Sequence, residues 1–298
     1  MPRRTAMVLL GVVSALAVGL GTADAEPPFT PDLDDIVGVG SDTTQGVIDE
    51  LARQYPAYGN RRLASFDAFP TGSTVVIRDP DQIPGNGDEI VIGRPSGSSA
   101  GITALCSNIG QYLDFARSSR PADGSTCQSA LTFIPFARDG LSYVVDDLSL
   151  VPTNLTASDL RDIYTCQLPG YEPKLPQAGS GTRSNFLQQI GVTEAQIAVS
   201  DCVDANVQGN DTAAVDGNPF ALMPMSVAAY RTNPDGVVLA SDVDPGAFLV
   251  YRDVFNVVKN SSLNDPGIQY YFGPNGVLCQ LMADGELGLE SIGTRCGT

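Results

Sequence analysis

Gly179-Ser180-Gly181-Thr182-Arg183 is the stretch of this chain that decides which fold and function we expect. It is a polar turn with two glycines, and it leads into a helix-like segment, residues 184–190, whose side chains Phe186, Leu187 and Ile190 share one face. A helix start leaves backbone N–H groups without partners and carries the positive end of the helix dipole. Glycines let a ligand approach the backbone, while hydroxyls and an arginine add donors. The stretch therefore predicts a site for a small anion.

Two more helix starts of this kind lie earlier in the chain. Residues 38–44 (Gly-Val-Gly-Ser-Asp-Thr-Thr) follow the apolar pair Ile36-Val37, and residues 96–99 (Ser-Gly-Ser-Ser) follow a strand candidate that ends at Ile92. Residues 116–120 form a fourth candidate segment. In α/β sheets, ligands gather where strand ends meet helix starts, so these segments can converge on one tetrahedral oxyanion.

The competing interpretation of these segments is structural. Ser, Thr and Gly are ordinary caps at helix starts, so capping alone explains each segment taken singly. For Arg117, Arg120 and Arg183, the competing role is a solvated position or a structural ion pair. The sequence leaves both interpretations open.

Composition narrows the classes of function. The chain has no histidine, which excludes a Ser-His-Asp triad and any histidine-based metal or acid–base site. Residues 97–101 match the G-x-S-x-G nucleophile pattern, but Ser99 has no histidine to activate it. We therefore expect no enzymatic activity, no metal and no cofactor. The enzyme class that these observations leave as an alternative is a hydrolase that uses paired carboxylates. The formal net charge of −17 argues against nucleic-acid or anionic-membrane partners.

The first 25 residues have the features of a secretory signal peptide. Arg3 and Arg4 form a basic start, residues 7–20 are apolar without a charge, and Ala23-Asp24-Ala25 is an A-x-A cleavage site. We expect cleavage after Ala25 and a secreted protein in an extracellular or periplasm-like space. The apolar run is short for a transmembrane anchor, and no cysteine near it indicates a lipid anchor. No later stretch is apolar enough to span a membrane.

The cysteines indicate an oxidising compartment. An even number in an exported chain is typical of disulfides, here three. Sequential pairing is the simplest of the possible connectivities, and a metal site is disfavoured because no CxxC pair is present. The six residues are Cys106, Cys127, Cys166, Cys202, Cys279 and Cys296.

Short β-rich runs alternate with helix-like segments along the chain, which favours α/β lobes with largely parallel sheets. Residues 131–134 and 141–145 are two separate strand candidates, and residues 248–251 are another. Residues 254–259 are a helix candidate.

The motifs together resemble the phosphate-binding solute-binding proteins of bacterial ABC importers. The resemblance covers most of the chain after residue 25. Gly179–Arg183 is its most specific motif, and the order of the segments adds to it. The other segments that carry it are residues 40–44 (GSDTT), 97–102 (GSSAGI), 114–121 (DFARSSRP), 135–145 (PFARDGLSYVV) and 154–164 (NLTASDLRDIY).

The resemblance implies an α/β fold of two doubly wound lobes joined by a hinge, the type II periplasmic-binding-protein-like arrangement. Lobe 1 would comprise residues 26–135 and 236–298, and lobe 2 residues 136–235. It also implies a monomer that binds phosphate or a similar oxyanion for an ABC permease. The ligand contacts carried over by matching motif are Ser41, Thr43, Ser98, Ser99, Ser119, Arg120, Ser180, Gly181, Thr182 and Arg183.

The chain departs from the family pattern at two positions. Many phosphate binders have an arginine where this chain has Pro176, and some have a proton-accepting aspartate where it has Ser119. Asp42 and Asp139 are the candidates to replace that aspartate. We therefore expect a secreted phosphate binder, and the alternative is a secreted two-lobe scaffold with a surface or protein-interaction role and no transported ligand.

Overall fold

The structure is a computed structural model that describes residues 26–81, 87–283 and 288–298. The signal peptide predicted over residues 1–25 lies outside the described residues. Among those that are described, no helix has the length and apolar character needed to cross a membrane.

Strands and helices alternate along the chain. The strands are β1 (Ile36–Gly40), β2 (Ala57–Tyr58), β3 (Arg61–Ser65), β4 (Thr74–Arg78), β5 (Glu89–Gly93), β6 (Phe115–Ser118), β7 (Leu131–Asp146), β8 (Glu172–Pro176), β9 (Asp204–Val207), β10 (Ala221–Ser226), β11 (Val237–Leu239), β12 (Val250–Lys259) and β13 (Glu290–Ser291). The helices are α1 (Gln45–Gln54), α2 (Ser98–Cys106), α3 (Ala157–Tyr164), α4 (Gly181–Ile190), α5 (Glu194–Ile197), α6 (Val227–Thr232), α7 (Ala240–Val243), α8 (Pro266–Phe272) and α9 (Val277–Ala283).

One large mixed sheet runs through the molecule, in the order β2-β3-β1-β6-β12-β7-β10-β8-β9. The pairs β1–β3, β1–β6, β8–β10 and β8–β9 are parallel, whereas β7 and β12 pair antiparallel with each other and with their other neighbours. The expectation of largely parallel sheets was therefore wrong at the centre. The reason is that β7 and β12 run side by side in opposite directions between the two ends of the sheet.

Two predictions need correction, and both concern these central strands. Residues 131–134 and 141–145 are strand as predicted, but they belong to one strand of 16 residues, because β7 stays paired with β12 across Pro135 and Gly140, with a register shift between Val254 and Phe255. Residues 254–259 were predicted as a helix, but they complete β12. Their Val-Phe-Asn-Val-Val composition is typical of strands, and pairing on both sides decides the conformation.

Side-chain packing divides the molecule into two lobes, as the fold class predicted. Ile48, Leu51 and Phe115 pack in one of the two clusters at the β1–β6 end, while Leu160 and Phe186 pack in a cluster at the β8–β10 end. Each end of the sheet is covered by helices, so each lobe has its own hydrophobic core.

The lobe boundaries at residues 135/136 and 235/236 stay a prediction. Phe136 packs with the first lobe, whereas Ala240 and Phe248 pack with the second. We therefore propose that the chain crosses on β7 near Asp139 and returns at the start of β12.

Three disulfides join the cysteines in sequential order, as the simplest pairing predicted: Cys106–Cys127, Cys166–Cys202 and Cys279–Cys296. Each closes a loop of between 17 and 36 residues. Loops of this length correspond to about 2–4 kcal/mol of stabilisation per bond. No cysteine is left free as a metal ligand.

Candidate functional site

Hydroxyl groups from both lobes meet between the two ends of the sheet. We call Ser41, Thr43, Ser98, Ser119 and Thr182 the hydroxyl cluster. Each of these residues is at most 4% exposed. The Ser41 hydroxyl donates to Ser119 Oγ over 3.3 Å, and Ser119 Oγ shares a second bond of 3.2 Å with Ser98 Oγ. Thr43 and Thr182, from opposite lobes, share a bond of 3.4 Å between their hydroxyls. The three predicted helix starts thus converge.

Capping does not account for these hydroxyls. The α1 cap residue Thr44 makes no side-chain capping bond, and its buried hydroxyl has no partner among the described residues. At the start of α2 the cap is Gly97, and Ser98 Oγ instead accepts from the Ser119 N–H at 3.0 Å. Of the three helix starts at the site, α4 alone is capped by a hydroxyl, because Ser180 Oγ accepts from the Arg183 N–H. The hydroxyls at the first two starts are therefore available for another role.

The two lobes touch directly at the glycine-rich turns. Ser99 N–H donates to Gly179 O across the lobes at 3.1 Å. A Cβ on Gly181 would lie 2.5 Å from Ser98 Oγ and closer still to Ser119 Oγ. Gly181 therefore permits the α4 start to approach the hydroxyl cluster, and a larger residue would either displace these hydroxyls or hold the lobes apart.

A buried ion pair lies beside the cluster, and the sequence analysis missed its arginine. Asp139 and Arg252 are direct cross-strand partners in the β7–β12 ladder. Arg252 Nη2 lies 2.9 Å from Asp139 Oδ2 and donates to Thr182 Oγ1 at 3.0 Å. The arginine side chain is 2% exposed, and its buried Nη1 has no hydrogen-bond partner in the described part of the chain. A buried guanidinium donor without a partner is costly, which points to a ligand at this position.

Arg252 is a candidate for the role of the arginine that is missing at Pro176. Pro176 ends β8, and its carbonyl accepts from Arg183 Nη1 at 2.9 Å. The guanidinium beside Thr182 comes from β12 instead. The sequence carries only a weak signal for this pair, because Arg252 and Asp139 come together only through the register of two long strands.

The predicted contact through the side chain of Arg183 needs correction. Its guanidinium forms an ion pair with Glu194 and donates to the carbonyls of Pro176 and Ala205. These partners hold the charged group within lobe 2 and away from the hydroxyl cluster, so the structural interpretation holds for this residue.

Arg120 and Ser99 lie at the edge of the cluster. Arg120 Nε donates to Ser99 Oγ at 3.1 Å, and Nη1 donates to Pro121 O and lies 3.3 Å from an Asp123 carboxylate oxygen. Both predicted residues are therefore near the site, but much of the Arg120 charge is offset by Asp123.

Ser119 lies inside the hydroxyl cluster at the position where some family members have an aspartate. Both candidate replacements are already bonded. Asp139 accepts from Ser226, Ala228 N–H and Arg252. Asp42 accepts from Asn210 Nδ2 and from Thr43 N–H, each at 3.0 Å. Burial raises the pKa of Asp42, and these hydrogen bonds oppose the rise.

A second acid lies behind the site, in lobe 1. Burial raises the pKa of Asp49 on α1 from 3.8 to about 7, although the positive charge of Arg117 opposes the rise. Asp49 lines a cavity of about 360 Å³ together with Phe29, Ala52 and Leu63. The apolar walls explain why the neutral carboxyl is favoured.

Asp49 gives a pH-dependent prediction for stability. Between pH 3.8 and about 7 the unfolded chain releases this proton while the folded chain keeps it, so this group destabilises the protein as pH rises. We expect Asp49→Asn to melt at a higher temperature than wild type at pH 8, with the difference disappearing at pH 4. Thermal melts across this range test it, with Asp147→Asn as an exposed control. A lower melting temperature for Asp49→Asn at pH 8 would refute the assignment.

Comparisons with known proteins agree on the fold. The fold is that of the two-lobe periplasmic-binding-protein-like α/β proteins. The chain is similar to a putative phosphate ABC transporter substrate-binding protein with bound phosphate from Clostridium perfringens, at 16% identity and a TM-score of 0.59, with 87% of this chain and 99% of that chain covered. It is also similar to an ABC-type phosphate transport receptor from Vibrio cholerae, at 19% identity and a TM-score of 0.55, with 86% of this chain and 99% of that chain covered.

No family model and no curated protein matches the sequence. The resemblance noted in the sequence is thus confirmed in structure, and at these identities it establishes the fold.

Proposed function

We propose that this protein binds a small tetrahedral oxyanion, inorganic phosphate in the first place, between its two lobes. The anion would be held by the hydroxyl cluster, the α2 and α4 starts and Arg252. The observation that carries the proposal is the unpartnered, buried Nη1 of Arg252 beside Thr182.

The chemistry of the site suits a dianion held mainly by neutral donors. Asp139 offsets the charge of Arg252, so the hydroxyls and the two helix starts supply most of the polar contacts. A micromolar site needs about 8 kcal/mol of net binding free energy. Several hydrogen bonds to a charged group, each contributing about 1.5–3 kcal/mol, supply this before the cost of ordering is subtracted.

Binding would exchange one set of hydrogen bonds for another. The cluster hydroxyls bond to one another at 3.2–3.4 Å, and an anion would replace these bonds with bonds to its own oxygens. Each hydroxyl is both a donor and an acceptor. Ser119 is therefore able to accept the proton of hydrogen phosphate, but unlike an aspartate it does not repel sulfate. We expect weaker discrimination against sulfate than a carboxylate would give.

The biological setting is part of the proposal. The predicted signal peptide, the three disulfides and the two-lobe fold support the proposal of an exported, monomeric protein that delivers the anion to an ABC permease. The likeness to transport receptors supports this role through the fold.

Calorimetric titration of protein stripped of ligand by unfolding and refolding tests the function. We expect a saturable signal with phosphate and arsenate, and a weaker one with sulfate and molybdate. The absence of heat with every oxyanion, from protein shown to be folded, would reject transport binding and favour the alternative of a scaffold without a ligand.

Thr182 and Ser180 provide a matched pair of substitutions. Thr182→Val removes a cluster hydroxyl and should weaken phosphate binding about 10- to 100-fold, the loss of one hydrogen bond to a charged group. Ser180→Ala removes the α4 cap and should cost about 1 kcal/mol of stability. Titration and thermal melts of both variants separate the two roles. Equal effects of both variants on stability, with no effect on affinity, would contradict the assignment of Thr182.

A further inference from the structure

Arg117 is a charged side chain in the interior of lobe 1. It is 0% exposed and is the largest of the fully buried side chains among the residues that the structure describes. Its guanidinium donates to three uncharged oxygens: Nε to Ser41 O at 2.9 Å, Nη2 to Phe66 O at 2.9 Å, and Nη1 to Ser65 Oγ. Its hydrogen-bonding groups are thus satisfied, but its contacts do not neutralise its charge.

The carboxylates that act on Arg117 do so from beyond ion-pair contact. They belong to Asp42, Asp49, Asp67 and Glu26. Within residues 26–81, 87–283 and 288–298, no ion pair of 4.0 Å or less joins Arg117 to a carboxylate. Burial lowers the pKa of Arg117. A buried cation without a contacting counter-charge is expensive, so its presence calls for a compensating role.

Arg117 is directly connected to the hydroxyl cluster. Its Nε bonds the carbonyl of Ser41, and the Ser41 N–H donates back to the carbonyl of Arg117 at 3.1 Å. This reciprocal pair fixes the loop that places Ser41 Oγ against Ser119. The guanidinium thus lies behind the cluster, and its hydrogen bonds go to Ser41 O, Ser65 Oγ and Phe66 O rather than to a cluster hydroxyl.

Arg252 and Arg117 differ in whether a contacting carboxylate neutralises their charge. Arg252 points into the site, but Asp139 contacts it and cancels its charge at 2.9 Å. Arg117 does not reach the site, but its charge is not cancelled by contact. In a low-dielectric interior such a charge acts over several ångströms, so it acts on an anion bound at the cluster as well as on the four carboxylates named above.

We propose that Arg117 is a positioning residue that holds Ser41 in place and supplies, from behind the hydroxyl cluster, the positive charge that balances the bound anion. This inference rests on the proposed function. It predicts that Arg117 matters more for a doubly charged anion than for a singly charged one of the same shape.

Sulfate and perchlorate are the probes, because both are tetrahedral and keep their charges of −2 and −1 at pH 8. We expect Arg117→Met to lower sulfate affinity at least tenfold and perchlorate affinity by a smaller factor. The unliganded melting temperature should fall, because the buried carbonyls of Ser41 and Phe66 lose their donor, so the ratio of the two affinities is the readout. Calorimetric titration and thermal melts give these values.

Two further variants keep the test decisive. Arg117→Lys retains the charge, so it should keep the wild-type ratio of sulfate to perchlorate affinity even if both affinities weaken. If Arg117→Met does not fold, this ratio in Arg117→Lys tests the charge-balancing role. Arg94→Met is the control: Arg94 is a buried arginine of the same lobe with a contacting partner, Glu26, and its loss should lower the melting temperature without changing the ratio.

The outcomes separate this inference from the proposed function. Equal loss of both affinities in Arg117→Met, or loss of the ratio in Arg117→Lys, would overturn the charge-balancing role. If wild type binds no oxyanion, the proposed function itself fails.

Discussion

Replacing Arg252 by methionine should reduce phosphate affinity at least about 100-fold, because the only buried guanidinium beside Thr182 in the described part of the chain is lost. The change removes the unpartnered Nη1 donor and leaves Asp139 as an uncompensated carboxylate next to the anion. Breaking a buried ion pair from one side should also destabilise the fold by about 3–5 kcal/mol. Calorimetric titration and denaturant unfolding measure the two effects.

The double variant Arg252→Met/Asp139→Asn separates binding from folding. It removes both charges, so it should recover much of the lost stability without recovering phosphate affinity. Tight phosphate binding by this double variant would show that the anion does not use Arg252, and the central observation of our proposal would then have another cause.

Alanine at position 181 should have a similarly large effect on binding through a different mechanism. The added Cβ would lie 2.5 Å from Ser98 Oγ, and closer to Ser119 Oγ, so either these hydroxyls turn away or the lobes separate. Both outcomes dismantle the hydroxyl cluster. We expect phosphate affinity to fall at least about 100-fold, the loss of two hydrogen bonds to a charged group.

The fold of Gly181→Ala should survive, because alanine is favoured over glycine in a helix and the clash lies between the lobes rather than within one. Small-angle scattering should then give a larger radius of gyration than wild type in the presence of phosphate. Gly46→Ala, on α1 with no atom within 4 Å of the added Cβ, is the control and should bind as wild type. A compact, phosphate-binding Gly181→Ala would refute the close approach of the lobes.

Local features of the site were predictable from the sequence. A strand that is followed by Gly, Ser and Thr, and then by apolar residues at helical spacing, predicts a helix start from a segment of about ten residues. Ser41 and Ser119 converge because they follow β1 and β6, which are parallel neighbours in the sheet. Ser98 follows β5, which pairs antiparallel with β4 outside that sheet, and an isolated bridge between Gly40 and Ser96 brings its helix start to the same place. The absence of histidine is the argument that the sequence offers against a nucleophilic Ser99.

Long-range features were not predictable from the sequence. Arg252 meets Asp139 only through the register of β7 and β12, over a sequence separation of 113 residues, and no local pattern encodes that register. Because residues 254–259 were predicted as a helix, β12, the long strand that contains Arg252, was not recognised. Arg183 was placed in the site because it adjoins the motif, but Glu194 and two carbonyls direct its side chain elsewhere.

A crystal structure of the protein saturated with phosphate tests the central claim most directly. We predict a tetrahedral anion between the lobes, with one oxygen within hydrogen-bond distance of Arg252 Nη1 and others bonded to the hydroxyls of Ser98, Ser119 and Thr182. Phosphate bound elsewhere, with the cluster hydroxyls still bonded to one another, would contradict the account.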